Sequence, residues 1–165
     1  MKISTKGRYA LRIMIYLADF YAHEYVSITT LAEKETLSPK YLEKILSKLI
    51  KNKFVVSSRG AHGGYKLKTH PKNYTVGQIL RVVEGELCPV PCLAKNAKPC
   101  IREKDCVTIE IWKRIHSSVK NVIDNLTLID LLKIQEKKQG IPSLYLTYLL
   151  HKKNYEESLK KTANN

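Results

Sequence analysis

Between Ser27 and Leu67 the chain reads SITTLAEKETLSPKYLEKILSKLIKNKFVVSSRGAHGGYKL, and this succession of patterns leaves few folds open. Ser27 can cap a short helix whose apolar residues are Ile28, Leu31 and Ala32, and Thr36 and Leu37 break it. Ser38 then stands where an N-cap belongs, and Pro39 takes the first helical position, where its missing N–H costs nothing. Leu42, Ile45, Leu46, Leu49 and Ile50 follow at helical spacing as one apolar stripe, and Lys40, Glu43, Lys44, Ser47, Lys48 and Lys51 occupy the opposite face. Phe54–Ser57 and Tyr65–Leu67 read as short strands, with Arg59–Gly64 as a flexible cationic hairpin tip. Helix, turn, helix and basic hairpin predict a winged helix-turn-helix, a mainly α fold with a small β-hairpin wing that lays its second helix in the DNA major groove.

The charge agrees with that expectation. The 165 residues carry a formal net charge of +14, and residues 1–70 hold 13 Lys/Arg against 5 Asp/Glu. A phosphate backbone is the natural partner of such a surface. An anionic membrane is the rival, but no apolar run approaches the ~20 residues of a spanning helix. Met1-Lys2-Ile3-Ser4 has no apolar signal core, so the expected location is cytoplasmic. There is no dinucleotide fingerprint and no nucleophile–base arrangement, so neither an enzyme nor a small-molecule substrate is expected.

The organisation expected is a DNA-binding domain over 1–85, a cysteine-rich loop over 86–106, a dimerisation helix and its successor over 107–140, and an extension over 141–165. Ser4 can cap a first helix to about Ala22, with Lys6 and Arg8 near its start, where a helix N-terminus favours phosphate. Thr75 with Gln78 and Thr127 with Asp130 form capping boxes, and Gly85 and Gly140 can close the helices they open. From Val107 onward Trp112, Ile115, Val119, Val122 and Leu126 step by 3, 4, 3 and 4, the seam of a helix that packs along another. A reader of DNA normally works as a two-fold pair, so this seam is expected to join two copies of the chain. After Gly140 the chain begins apolar and ends as a charged tail.

On the DNA face, Ser38, Lys40, Tyr41, Lys44 and Lys48 are expected at the major groove, with Glu43 able to accept from a cytosine amino group. The wing tip, Arg59, Gly60 and His62, is expected at a minor groove or on phosphate.

Residues 86–106 contain Cys88, Cys92, Cys100 and Cys106, separated by three, seven and five residues. Such packing in a reducing compartment points to a metal site before disulfides. The gaps suit zinc poorly, since structural zinc sites favour C-x-x-C pairs. Thiolates on an irregular loop between helices suit an iron–sulfur cluster, and Lys95, Lys98, Arg102 and Lys104 would offset its charge. Spacing alone leaves a cluster, a zinc site, a thiol switch and inert cysteines open. An iron–sulfur electron carrier is a further reading of the cysteines that leaves the basic helix-turn-helix without a purpose.

Over roughly residues 1–138 the chain resembles the Rrf-type winged-helix transcription regulators. The residues that carry the likeness are Ile3–Ala10, Ser38–Leu49, the wing residues Arg59-Gly60 and Gly63-Gly64-Tyr65, the loop cysteines, and Leu126-Thr127-Leu128. The resemblance implies a homodimeric, sequence-specific regulator of transcription on double-stranded DNA. It also implies an iron–sulfur cluster, 2Fe-2S or 4Fe-4S, that reports redox, iron–sulfur or nitric oxide status. The three cysteines of the cluster-bearing members correspond to Cys92, Cys100 and Cys106. Those members complete the ligand set with a histidine or an acidic residue where this chain has Ile109 or Arg8. Cys88 is then the chemical favourite for fourth ligand, ahead of Glu110 or a residue from elsewhere, the partner chain included.

Overall fold

The computed structural model of the protein describes every residue except Glu24, Pro99, Asn164 and Asn165. Helix α1 (Thr5–Asp19) is opened by the Ser4 hydroxyl, which accepts from the Gly7 N–H at 3.2 Å. It closes earlier than expected, because the N–H groups of Tyr21 and His23 turn back in tight bonds to Ala18 and Phe20. Helix α2 (Ile28–Glu35) is capped by Ser27 and ended by Thr36 in the left-handed conformation. Helix α3 (Pro39–Lys51) starts as expected, with Ser38 Oγ accepting from the Tyr41 N–H at 3.3 Å and Pro39 first in the helix.

Leu42, Ile45, Leu46 and Leu49 of α3 are buried. Each such burial contributes ~1.5–3 kcal/mol, against ~1 kcal/mol for a cap. Packing therefore fixes the rotation of α3 about its axis, and with it the face that presents the lysines.

The wing is a two-stranded antiparallel hairpin of β1 (Val55–Ser58) and β2 (Gly64–Leu67), with Val55 opposite Leu67 and Ser58 opposite Gly64. A third segment joins it at one point. Val26 and Tyr65 exchange backbone bonds of 3.0 and 2.8 Å. Gly64 makes this approach possible: at φ 156° it passes so close to the Val26 carbonyl that a Cβ would collide with it.

After a turn at Pro71–Asn73, helix α4 (Val76–Glu84) crosses α1 and leads through Gly85 into the cysteine loop. Among the described residues that loop has two short 3-10 turns, Pro91–Leu93 and Glu103–Asp105. Helix α5 (Ile109–Asn125) follows, then α6 (Leu128–Gln139) and α7 (Leu144–Ala163). The capping boxes that start α4 and α6 sit side by side. Val76 N–H donates to Leu126 O at 2.8 Å and Leu128 N–H to Tyr74 O at 3.1 Å, so the two helix starts pair like strands. The Thr127 hydroxyl and N–H hold the Asp130 carboxyl below the usual range.

The main core gathers α1, α2, α3 and the wing around Ile13, Met14 and Leu17. It does not stop at residue 85, where the sequence divides the chain: Leu128, Leu132 and Tyr145 belong to the same cluster. The apolar start of the extension docks on the core. Ser143 and Tyr145 are buried, and the Ser143 hydroxyl donates to Asp19 at 2.5 Å. Tyr145 Oη lies 2.6 Å from His70 Nε2. Among the described residues no helix is long and apolar enough to cross a membrane.

Candidate nucleic-acid interface and cysteine pocket

The expected DNA residues fall into three groups. Lys40 and Lys44 of α3 are exposed and make no ion pair among the described residues, and Arg59, Gly60 and His62 stand exposed at the wing tip. Arg8 is exposed at the start of α1, its guanidinium donating to Thr5 Oγ1 at 3.2 Å, and Lys6, two residues before it, is half-buried.

The second group is engaged within the chain. Tyr41 is half-buried edge-on against Tyr9 of α1, with ring centroids 6.2 Å apart, and Ser38 is committed to its cap. Glu43 borders a groove between α3 and β2 with Tyr65, whose phenol is raised by burial and then by the Glu43 carboxylate.

Lys48, expected at the major groove, is exposed but makes a contact within the chain. Its Nζ donates to Val83 O at 2.8 Å, at the last turn of α4, where carbonyls lack helical donors and attract a cation. Arg12, farther along α1, is likewise spoken for: it pairs with the buried Glu35 at 2.5 Å.

The wing is held at its root. Lys66 donates to His23 O at 2.7 Å, with its ammonium over the Tyr21 ring. With the Val26–Tyr65 bridge this fixes the hairpin against the segment between α1 and α2. The sequence shows the basic tip but not the anchor, since the anchor joins residues far apart in the chain.

Cys92, Cys100 and Cys106 line one pocket of about 310 Å³, together with Glu103, Lys98 and Lys113. Cys88 does not line it. Its thiol points to Leu93 O at 3.4 Å, and burial, then the Glu86 carboxylate, pushes its pKa up. The structure therefore sets Cys88 apart from the other three. Glu110, the second choice for a ligand, is paired with Lys113 at 2.9 Å. Glu103, which no spacing argument singles out, is the carboxylate that lines the pocket.

The donor set fits an iron–sulfur cluster in kind: three soft thiols with a cationic rim. Among the described residues no three His, Cys, Asp or Glu side chains stand close enough together to hold a metal ion. All four cysteines carry free thiols.

The expected seam on α5 is split between two sides. Ile115 and Val122 are exposed, and Ile111, outside the expected stripe, joins them. Val119 instead lines the cleft toward α4, and Leu126 packs on the cluster of Val76, Leu80 and Leu87. The physical reason is that α5 also packs against its own domain. Arg81 of α4 grips Asp124 with two bonds of 2.6 and 3.0 Å and turns that side inward.

A second helix seated by its apolar stripe, its lysines outward, and a basic β-hairpin wing define a winged helix-turn-helix DNA-binding protein. The chain belongs to the Rrf2 family of transcriptional regulators: the family profile, described as an iron-dependent transcriptional regulator, matches residues 3–134. It is 41% identical over 146 residues to the HTH-type transcriptional regulator CymR of Bacillus subtilis, covering 88% of this chain and all of that one. The solved structure of that regulator, described as the global cysteine regulator of B. subtilis, superposes with a TM-score of 0.66 at 43% identity, over 79% of this chain and 95% of the other. The structure of T. potens IscR gives a TM-score of 0.67 at 36% identity, over 84% and 91% of the two chains. The protein is thus a DNA-binding transcriptional regulator, and its relatives are regulators and not enzymes.

Proposed function

We propose that the protein acts as a homodimer that binds a two-fold DNA site and reports iron–sulfur or redox status through its cysteine pocket. The observation that supports the reading is that Cys92, Cys100 and Cys106 line one pocket, which Ile109 and Lys113 of α5 also line. Thiolates of these three residues would hold the cluster, with Glu103 of the same pocket as the proposed fourth ligand. A cluster bound there would supply iron–thiolate bonds that oxidation or nitrosylation can break. Lys98 and Lys113 offset the negative charge of the thiolates, and Ile109 keeps one wall apolar.

The apolar side of α5 formed by Ile111, Ile115 and Val122 is assigned to a second copy of this chain, because two recognition helices must be joined to read paired half-sites. The cysteine loop runs directly into that helix, so a change in the pocket bears on the spacing of the pair. Such a change acts only as far as the bound group favours one spacing over the other.

Purification under strict anaerobiosis with iron and sulfide analysis tests the reading. The expected result is a brown protein whose chromophore disappears in Cys92→Ala, Cys100→Ala or Cys106→Ala, persists in Cys88→Ala, and whose loss changes DNA affinity. A colourless, iron-free protein with unaltered DNA affinity after all three core substitutions would refute cluster sensing and leave DNA binding in place. A thiol switch is the second reading, favoured by the exposure of Cys92 and Cys100. It predicts instead that a mild oxidant alters DNA binding of the metal-free protein.

A further inference from the structure

Val83 and Glu84, which end α4, each hold a residue of another helix or its cap. The Val83 carbonyl receives Lys48 of α3 at 2.8 Å. The Glu84 carboxylate receives both the N–H and the hydroxyl of Ser4, at 3.1 and 2.6 Å. Gly7 leaves the space for it, since a Cβ there would overlap the carboxylate. Ser4 in turn caps α1, whose first turn carries Lys6 and Arg8. Two adjacent residues therefore hold the recognition helix and the other cationic helix start. Just beyond them Gly85, at φ 85°, turns the chain into the cysteine loop, and Leu87 is buried against α4.

We infer that this end of α4 is the positioning junction of the DNA face: Lys48 and Glu84 act through the elements they hold, and the junction carries the state of the cysteine loop to α3 and α1 together. The inference rests on the assignment of Lys40, Lys44, Lys6 and Arg8 to DNA. An ammonium at the C-terminal carbonyls of α4 and a carboxylate at the N-terminus of α1 are both electrostatically favoured pairings. A shift of Gly85 moves both cationic elements at once. Linkage then requires that DNA binding, in return, change the stability of residues 82–88.

Amide hydrogen exchange of segment 82–88 in the full-length protein, with and without random-sequence duplex DNA at low salt, tests this. DNA slows that exchange in the unmodified protein and in Lys48→Arg, and the slowing is lost in Lys48→Met while the α1 core amides stay protected. Glu84→Gln removes a negative charge beside the DNA face. Electrostatics alone demands tighter binding from that change; positioning demands weaker binding, and weaker binding is expected. Faster exchange on DNA binding, or a slope of log affinity against log salt reduced by about one in Lys48→Met, would make Lys48 a phosphate contact and overturn the junction. Tighter binding by Glu84→Gln would overturn it as well. Unchanged DNA affinity in Lys44→Ala would instead overturn the assignment of the DNA face itself.

Discussion

Lys40, Lys44 and Lys48 share the outer side of one helix, yet only the first two are free. Helical spacing tells which side a residue is on and cannot tell what another helix brings to it. Lys44→Ala is expected to weaken binding by ~1–3 kcal/mol and relax one position of the site if it reads a base. If it holds phosphate, the loss is uniform across sequences and the salt slope falls by about one. Competition binding against substituted duplexes at several salt concentrations separates the two. Arg12 is a second engaged cation: it pairs with Glu35, which is 7% exposed. Arg12→Ala leaves that carboxylate buried without its partner, at a cost of ~1–3 kcal/mol seen in denaturant unfolding. DNA affinity, measured where the variant is fully folded, is expected to stay unchanged.

The helix starts were legible in the sequence because a cap is a local event. Ser4, Ser27, Ser38, Thr75 and Thr127 each satisfy an N–H three residues on. The docking of α7 was not legible, since Ser143 finds Asp19 at a separation of 124 residues and Tyr145 finds His70 at 75. That docking makes a pH prediction. His70 Nδ1 accepts from the Lys72 N–H, so neutral His70 carries its proton on Nε2 toward Tyr145. Burial, then Lys72, holds its pKa below the ordinary value. The neutral form therefore goes with the folded contact. The stability it gives is complete above the unfolded pKa of about 6.5 and is lost as pH falls toward the lower folded value. Hydrogen exchange of residues 143–147 is expected to quicken over that interval, and His70→Gln is expected to flatten the response. On α5 the heptad spacing revealed an apolar helix and not the division of its sides, because Arg81 and Asp124 settle that from another element. Ile115→Asp is expected to shift the protein from dimer to monomer in sedimentation, placing a charge in an apolar seam at a cost of ~2 kcal/mol or more. Val119→Asp is expected to lower the unfolding midpoint through the α4–α5 cleft.

At the scale of the whole molecule, the winged helix-turn-helix was readable from one 41-residue stretch because its caps, stripe and hairpin follow one another in the chain. The closure of the core by Leu128, Leu132 and Tyr145 was not readable, as these residues look like any other apolar positions until they meet Ile13 and Leu17. With a net charge of +14, the protein is expected to lose affinity for random-sequence DNA steeply as salt rises. A filter-binding titration that is flat in salt would contradict a phosphate-directed surface. The pinned root of the wing has one more consequence. The Val26–Tyr65 bridge and the Lys66–His23 bond restrain the hairpin from a swing of its own. On the proposed docking, wing tip and recognition helix are then the two jaws of a calliper with a fixed gap. A calliper does not adapt to what it measures: duplexes whose minor groove is already narrow enough fit it without being bent, and the others must deform. Part of the sequence preference would then be written in base pairs that no side chain touches.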